Sequence, residues 1–372
     1  MTRVLVTGGA GFIGSHTVDL LLERGYDVRI LDSLQPRVHP NGKPPWLPAD
    51  AEFLQGDVAD RDDLSLALAG VDAVFHLAAY QDYLPDFSTF VHTNTESSAL
   101  LFELIVADPA RHPVEKIVFA SSQAVSGEGK YSCPACERVL SPGPRPLEQL
   151  RRGEWEPRCD RCGGELKPEL IDEGTSHPHT AYGVSKYAIE LLAFALGHRY
   201  GIATAAMRYT YVQGPRNSFH NAYSGIARRF ALRLRAGLPP VCYEDGAQLR
   251  DYVNVRDVAR ANLLALESDV DGVALNVGGG RAVTVREFAQ LMVDTAGAQL
   301  EPEIPGEFRV GDTRHTVSDI SRMRALDWEP EIPVEQNVRE YLEWLDGQDV
   351  PTDNLFDAER EMAASGVVQR AG

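Results

Sequence analysis

The sequence predicts an α/β protein built on a doubly wound parallel sheet, and three observations carry that prediction. A glycine-rich turn, Gly8-Gly9-Ala10-Gly11-Phe12-Ile13-Gly14, joins a short apolar run to an apolar-periodic segment. Further apolar runs alternate with helical patterns through the first half of the chain, the order that produces βαβ units. The runs close on small or polar residues, as strands do when their carboxyl ends border a ligand crevice.

Residues 3–7 read as the first strand, followed by the glycine turn and a helix to about Arg24. In such a unit the glycines let the backbone approach a pyrophosphate at the helix N-terminus, so Gly8, Gly11, Phe12, Ile13 and Gly14 are candidate cofactor contacts. Residues 27–32 are the second strand. Its closing Asp32 stands near the distance expected of a carboxylate that accepts both ribose hydroxyls and repels a 2′-phosphate, which favours NAD over NADP. Strands over residues 52–58, 73–79 and 116–122 continue the alternation, with helices around 62–69 and 94–107. Asp57, Val58, Leu77, Ala78, Ala79, Ser121 and Ser122 fall at their carboxyl ends.

From about residue 128 to 168 periodicity fades into Pro, Gly, charge and cysteine. This reads as an insertion too small to build its own core. A helix over 182–200 and a strand over 203–209 follow. The expected organisation is a Rossmann-type NAD-binding domain over residues 1–212, including the insertion. A smaller, mainly substrate-binding domain spans 213–347, with 253–280 returning to the first domain. Residues 348–372 read as a polar, mobile tail.

At 372 residues with 44% hydrophobic content, the chain can bury one large core or two smaller ones. A net charge of −18 opposes general attraction to nucleic acid or to an anionic membrane. No run approaches the roughly 18 apolar residues of a membrane span, and the first residues enter a strand with no signal-peptide pattern. The expectation is a cytoplasmic protein with neither nucleic acid nor membrane as partner.

Four of five cysteines form two pairs, Cys133-Pro-Ala-Cys136 and Cys159-Asp-Arg-Cys162. Paired C-x-x-C knuckles match a four-thiolate structural zinc site, which a reducing compartment favours over disulfides. Unligated thiols are the alternative. Cys242, in an apolar run, reads as a core residue.

The run Tyr182-Gly183-Val184-Ser185-Lys186 carries the chemistry. Four residues apart on a helix, phenol and ammonium share a face, and the charge can favour an ionised phenol able to act as a general base. Arg250 and Arg314 are candidates for a diphosphate, because a guanidinium meets phosphate oxygens in two-point contacts.

Together the glycine turn, Asp57-Val58, His76-Leu77-Ala78-Ala79, Ser121-Ser122, Tyr182 to Lys186 and Arg250-Asp251-Tyr252-Val253-Asn254 resemble the extended short-chain dehydrogenase/reductases acting on nucleotide-linked sugars. The resemblance implies NAD as cofactor, Tyr182 as base, Lys186 as its tuner and Ser122 as hydrogen-bond partner of the reacting hydroxyl. It adds Asn94 to the cofactor contacts, and Ser122, Tyr182, Tyr211, Asn221, Arg250 and Arg314 to the substrate contacts. It also implies a homodimer paired through the helices beginning near Asn94 and Tyr182. The cysteine insertion and the stretches at 221–225 and 311–315 are similar to the dTDP-L-rhamnose 4-epimerase group. The chain departs from its relatives at Ser126, where Tyr is usual, and at Tyr211, where Asn is common. Gln123 follows Ser122 with no Asp-Glu pair, which argues against elimination. The expected activity is C4 epimerisation of a dTDP- or UDP-linked hexose through a transient 4-keto sugar. A reductase, dehydrogenase or decarboxylase on the same scaffold is the alternative, and an NAD-binding regulator with a zinc interaction module is the alternative of another class.

Overall fold

A computed structural model describes residues 2–82, 85–220, 225–350, 360, 364 and 366–372. A seven-stranded sheet forms the frame. Its order is Val273–Val277, Ala203–Tyr209, Lys116–Ser122, Ala73–His76, Arg3–Thr7, Asp27–Asp32 and Glu52–Gln55. Every pairing is parallel. The order runs outward in both directions from Arg3–Thr7, so the crevice at the reversal opens beside the glycine turn.

Period-two alternation sends neighbouring side chains to opposite faces. Val4, Val6, Val28, Ile30, Phe75 and Met207 pack on one side against residues of the helices Phe12–Glu23 and Val255–Glu267. Leu5, Leu31, Val74, Ile117 and Phe119 pack on the other, beneath Arg61–Leu68, Ser97–Ala107 and Ala181–Tyr200. Each fully buried Val, Leu, Ile or Phe contributes roughly 1.5–3 kcal/mol relative to exposure. The helix around 94–107 is less regular than its periodicity predicts. A short turn of helix, Phe87–Phe90, continues through a π-helical segment, Val91–Glu96, before α-geometry resumes at Ser97.

A second core contains Phe230, Tyr252, Phe288, Met292 and Tyr341. It packs with a small sheet of Tyr211–Gln213, Leu249–Asn254 and Ala282–Thr284. Of residues 253–280, the strand Val273–Val277 joins the main sheet beside Ala203–Tyr209, while Val253 and Asn254 end a strand of the small sheet.

The insertion is more ordered than its sequence suggests. Lys130–Cys133 is the middle strand of an antiparallel sheet between Arg138–Leu140 and Lys167–Glu169. Strands of three or four residues are too short to display a period. The tail also differs from expectation at its end. Val368–Arg370 pairs antiparallel with Glu307–Arg309, and Gly372 N donates to Arg151 O at 3.2 Å, so backbone pairing docks the last residues.

Candidate active site

Two cavities meet over the carboxyl ends of the central strands. The first, of about 810 Å³, runs from the glycine turn along the strand ends to Tyr182 and Lys186. Gly8 has φ +68°, and a Cβ there would meet Ala78 N at 2.8 Å. A Cβ on Gly14 would lie 2.2 Å from the carbonyl oxygen of Gly8. Only glycine therefore lets strand end, turn and helix start approach closely enough to make this cradle. Asp32 closes its strand on the cavity wall, held by Ala10 N at 3.0 Å and Leu34 N at 2.9 Å. A carboxylate fixed beside a glycine cradle at a helix start fits the adenosine and diphosphate portions of NAD. Phe12, Ile13, Gly11, Asp57 and Val58 lie on the same wall, as do Leu77, Ala78 and Ala79.

Asn94 does not. Its amide donates to Tyr80 O at 3.1 Å and Ser185 Oγ at 3.0 Å and accepts from Tyr80 N at 2.8 Å, so it is a buried strut behind the wall. Residues 35–46 form part of the wall that the sequence did not flag. Trp46 Nε1 donates to Ala10 O at 3.3 Å, and His39 is buried beside Asp32. Their signal is a proline-rich stretch without periodicity, which carries no functional mark.

Ser122, Tyr182 and Lys186 converge because two backbones touch. Gly183 is so close to the turn after Ser122 that a Cβ would lie 2.5 Å from Ala124 O. Thr180 caps the helix by accepting from Gly183 N at 3.0 Å, which fixes where Tyr182 leaves the first turn. Tyr182 hydrogen-bonds Ser122. The adjacent Ser121 cannot substitute, since its hydroxyl donates to Glu190, itself in a buried two-point pair with Arg208 at 2.8 Å.

The expected effect of Lys186 on the phenol needs correction. Its Nζ donates to Ala120 O at 2.8 Å and stands 5.9 Å from the centre of the Tyr182 ring. Burial pushes Tyr182 up to about 12, with the Ser122 hydrogen bond opposing, and pushes Lys186 down to about 7. Burial is the first cause of both shifts and disfavours the charged form of each group.

The second cavity, of about 700 Å³, shares Tyr182 with the first. Ser122, Tyr211 and Arg250 lie on its wall. The Arg250 guanidinium sits 5.1 Å from the Tyr211 ring centre. Arg309, at the end of the strand Glu307–Arg309, and Arg228 and Arg229, in the helix Ile226–Arg235, line it too and were missed, because nothing in the local sequence distinguishes a cavity-facing arginine from a solvated one. So does Gln123, whose Oε1 is buried without a hydrogen-bond partner among the described residues. Arg314 is a correction. Its guanidinium is enclosed by Glu156, Glu244 and Asp245 at 2.7–2.9 Å and lies off both cavity walls. Three carboxylates leave no donor for a phosphate. Asn221 lies outside the described residues. Ser126 is buried, with its hydroxyl toward Thr175 O at 3.4 Å, so that departure opens onto neither cavity.

The sulfurs of Cys133, Cys136, Cys159 and Cys162 lie within 4.8 Å of one another. Cys133–Cys162 and Cys136–Cys159 approach to 3.6 and 3.9 Å. A tetrahedral zinc with bonds of about 2.3 Å places its sulfurs roughly 3.8 Å apart, so the four fit that ion. None lies on either cavity wall.

A parallel sheet with a glycine cradle, a carboxylate on the cavity wall at the end of the second strand, and a Ser-Tyr-Lys group where two cavities meet is the arrangement of a nucleotide-dependent enzyme acting on a carbinol. Residues 4–149 and 162–278 match the NAD dependent epimerase/dehydratase family, and the chain belongs to that family. It is 32% identical over 351 residues to a dTDP-L-rhamnose 4-epimerase of Burkholderia thailandensis, covering 92% of this chain and 94% of the relative. It is 31% identical to a putative UDP-glucose 4-epimerase of Methanocaldococcus jannaschii, covering 92% and 98%. Among solved structures, the UDP-glucose 4-epimerase of Thermotoga maritima with UDP-glucose superposes with a TM-score of 0.75 at 29% identity, covering 93% of this chain and 99% of that one. The NAD complex of the Thermus thermophilus UDP-glucose 4-epimerase gives 0.72 at 30% identity, with the same coverage.

Proposed function

We propose that this protein is an NAD-dependent nucleotide-sugar 4-epimerase that inverts C4 of a dTDP- or UDP-linked hexose. The observation that carries the reading is the place of Tyr182, on the wall common to both cavities and hydrogen-bonded to Ser122. Bound NAD supplies reversible hydride acceptance. The chain's own residues handle the oxygen and its proton. Ser122 holds the C4 oxygen, and Tyr182 in its ionised form takes the hydroxyl proton as the carbonyl forms, then returns it after the 4-keto sugar has turned within the second cavity. Lys186, buried behind the phenol, is assigned to hydrogen-bond the ribose of the cofactor. Neither face of the sugar needs a second substrate, because what is removed is given back.

Arg250 and Arg309 are assigned to the diphosphate, supported by their position on the second cavity and by guanidinium–phosphate geometry. Tyr211 and Gln123 border the sugar, and Asp32 selects NAD. One zinc is assigned to the four cysteines with a structural role, since four thiolates fill a tetrahedral shell. A homodimer is supported by exposed apolar side chains on the expected helices, with Val91 53%, Val184 51% and Leu191 55% exposed. No helix among the described residues is long and apolar enough to cross a membrane. A cytoplasmic location is the setting these features suit.

The test is a panel of UDP- and dTDP-hexoses incubated with purified protein, with products separated by chromatography. Formation of a C4 isomer without net NADH supports the reading. Stoichiometric NADH release, or no isomer from any panel member, refutes it.

A further inference from the structure

The arginine that leaves the diphosphate site in the structure has another place in the fold. Arg314 binds Glu244 and Asp245 from the substrate unit through Nη1, at 2.9 and 2.7 Å, and Glu156 from the insertion through Nη2 at 2.7 Å. Arg145, also from the insertion, donates Nη2 to Glu244 Oε1 and to Asp312 O, each at 2.8 Å. Glu128, at the start of the insertion, accepts from Arg314 N at 2.7 Å. Glu156 reaches His315 Nε2 at 2.9 Å, and the Tyr131 hydroxyl accepts from His315 N at 3.2 Å. The insertion therefore grips residues 312–315 by side chain and backbone at once.

That same segment aims a cation. Arg250 donates Nη1 to Arg314 O and Nη2 to Thr313 O, both at 2.9 Å, which sets its guanidinium over Tyr211 on the second cavity. Asp312 Oδ1 accepts from Arg309 Nη2 at 2.7 Å, tying the other cavity arginine to the gripped segment. Arg314 and Arg145 are almost wholly buried. Truncating one member of such a network leaves a buried charge short of a partner.

We infer that the four-cysteine insertion positions the diphosphate-binding arginines, with Glu156, Arg145 and Arg314 as positioning residues that hold residues 312–315 beneath Arg250 and Arg309. The inference rests on the nucleotide-sugar reading of the second cavity. It gives the insertion a part in substrate affinity although none of its cysteines touches a cavity. Ser122, Tyr182 and the cofactor cradle lie on other elements, so the effect belongs to one ligand and not to both.

The experiment compares native protein with Glu156→Ala and Arg145→Lys by titration calorimetry, using UDP, dTDP and NAD as separate probes, with metal content measured on each sample. The Kd of the bound nucleoside diphosphate should rise about tenfold or more in Glu156→Ala, while that of NAD stays within about twofold. Arg145→Lys keeps the charge but loses the two-pronged grip on Glu244 and Asp312 O, so it should show a smaller loss, about threefold. Metal content should be native in both variants. In turnover the loss should appear in KM, with kcat little changed. If Glu156→Ala fails to fold, Arg145→Lys decides. An unchanged diphosphate Kd overturns the inference, and so does an equal loss for NAD, which would mark general loosening. If native protein binds neither UDP nor dTDP, the nucleotide-sugar reading falls and takes the inference with it.

Discussion

The two cavities are built by different means. The cofactor side is made by consecutive stretches of backbone, in which glycines and strand ends create the wall and only a few side chains matter individually. The substrate side is assembled from side chains far apart in sequence, aimed by a buried charge network that joins the insertion to the smaller unit. Changes on the first side therefore act through local backbone sterics. On the second, a residue can matter without touching the ligand.

The sharpest break of that contrast lies where the cavities meet. Tyr182→Phe keeps the ring and removes the oxygen, so steady-state turnover should fall by roughly 10²–10⁴-fold while NAD and UDP titrations stay near native values. Native turnover in this variant would remove the phenol from the mechanism.

Arg309→Gln tests the substrate side alone. Loss of a charge-assisted contact to phosphate, worth about 1.5–3 kcal/mol, should raise KM roughly 10- to 100-fold and leave kcat near native. A fall in kcat with constant KM would move Arg309 from binding to chemistry.

Cys159→Ser sharpens the comparison from further away. Metal content by elemental analysis should drop from about one zinc per chain, and limited proteolysis should open residues 128–168 before the main sheet. NAD affinity should hold. A native protein without zinc would end the metal assignment.

A different readout is stability against pH. Lys186, lowered to about 7 in the fold from the ordinary 10.5, binds a proton in the unfolded chain but not in the folded one between those values. Its contribution to stability therefore rises with pH across that window. Tyr182, raised to about 12, acts oppositely only above its ordinary 10. Denaturant midpoints of nucleotide-free protein between pH 7 and 9.5 should rise more steeply than those of Lys186→Met. Parallel curves would contradict a largely neutral buried lysine.

The same contrast decides what was legible in the sequence. The glycine turn, the strand-end residues, the Tyr182–Lys186 pair and the cysteine knuckles are local patterns, in which spacing along the chain fixes spacing in space. Arg314 and Arg309 could not be told apart this way. The two arginines stand a few residues apart in sequence, and only long-range partners show that one is enclosed by carboxylates while the other lines a cavity. Asn94 misled for a related reason, since a π-helical turn redirects its amide to Tyr80 and Ser185. The docking of Val368–Arg370 on Glu307–Arg309 is likewise a pairing between distant strands, each three residues long.

The central claim is that the hydrogen removed from C4 returns to the same carbon. It is tested most directly with UDP- or dTDP-hexose, whichever isomerises, carrying deuterium at C4, and with the product examined by mass spectrometry and NMR. The account predicts that the C4 isomer retains its deuterium, with none released to water. Washout of the label to solvent would contradict it.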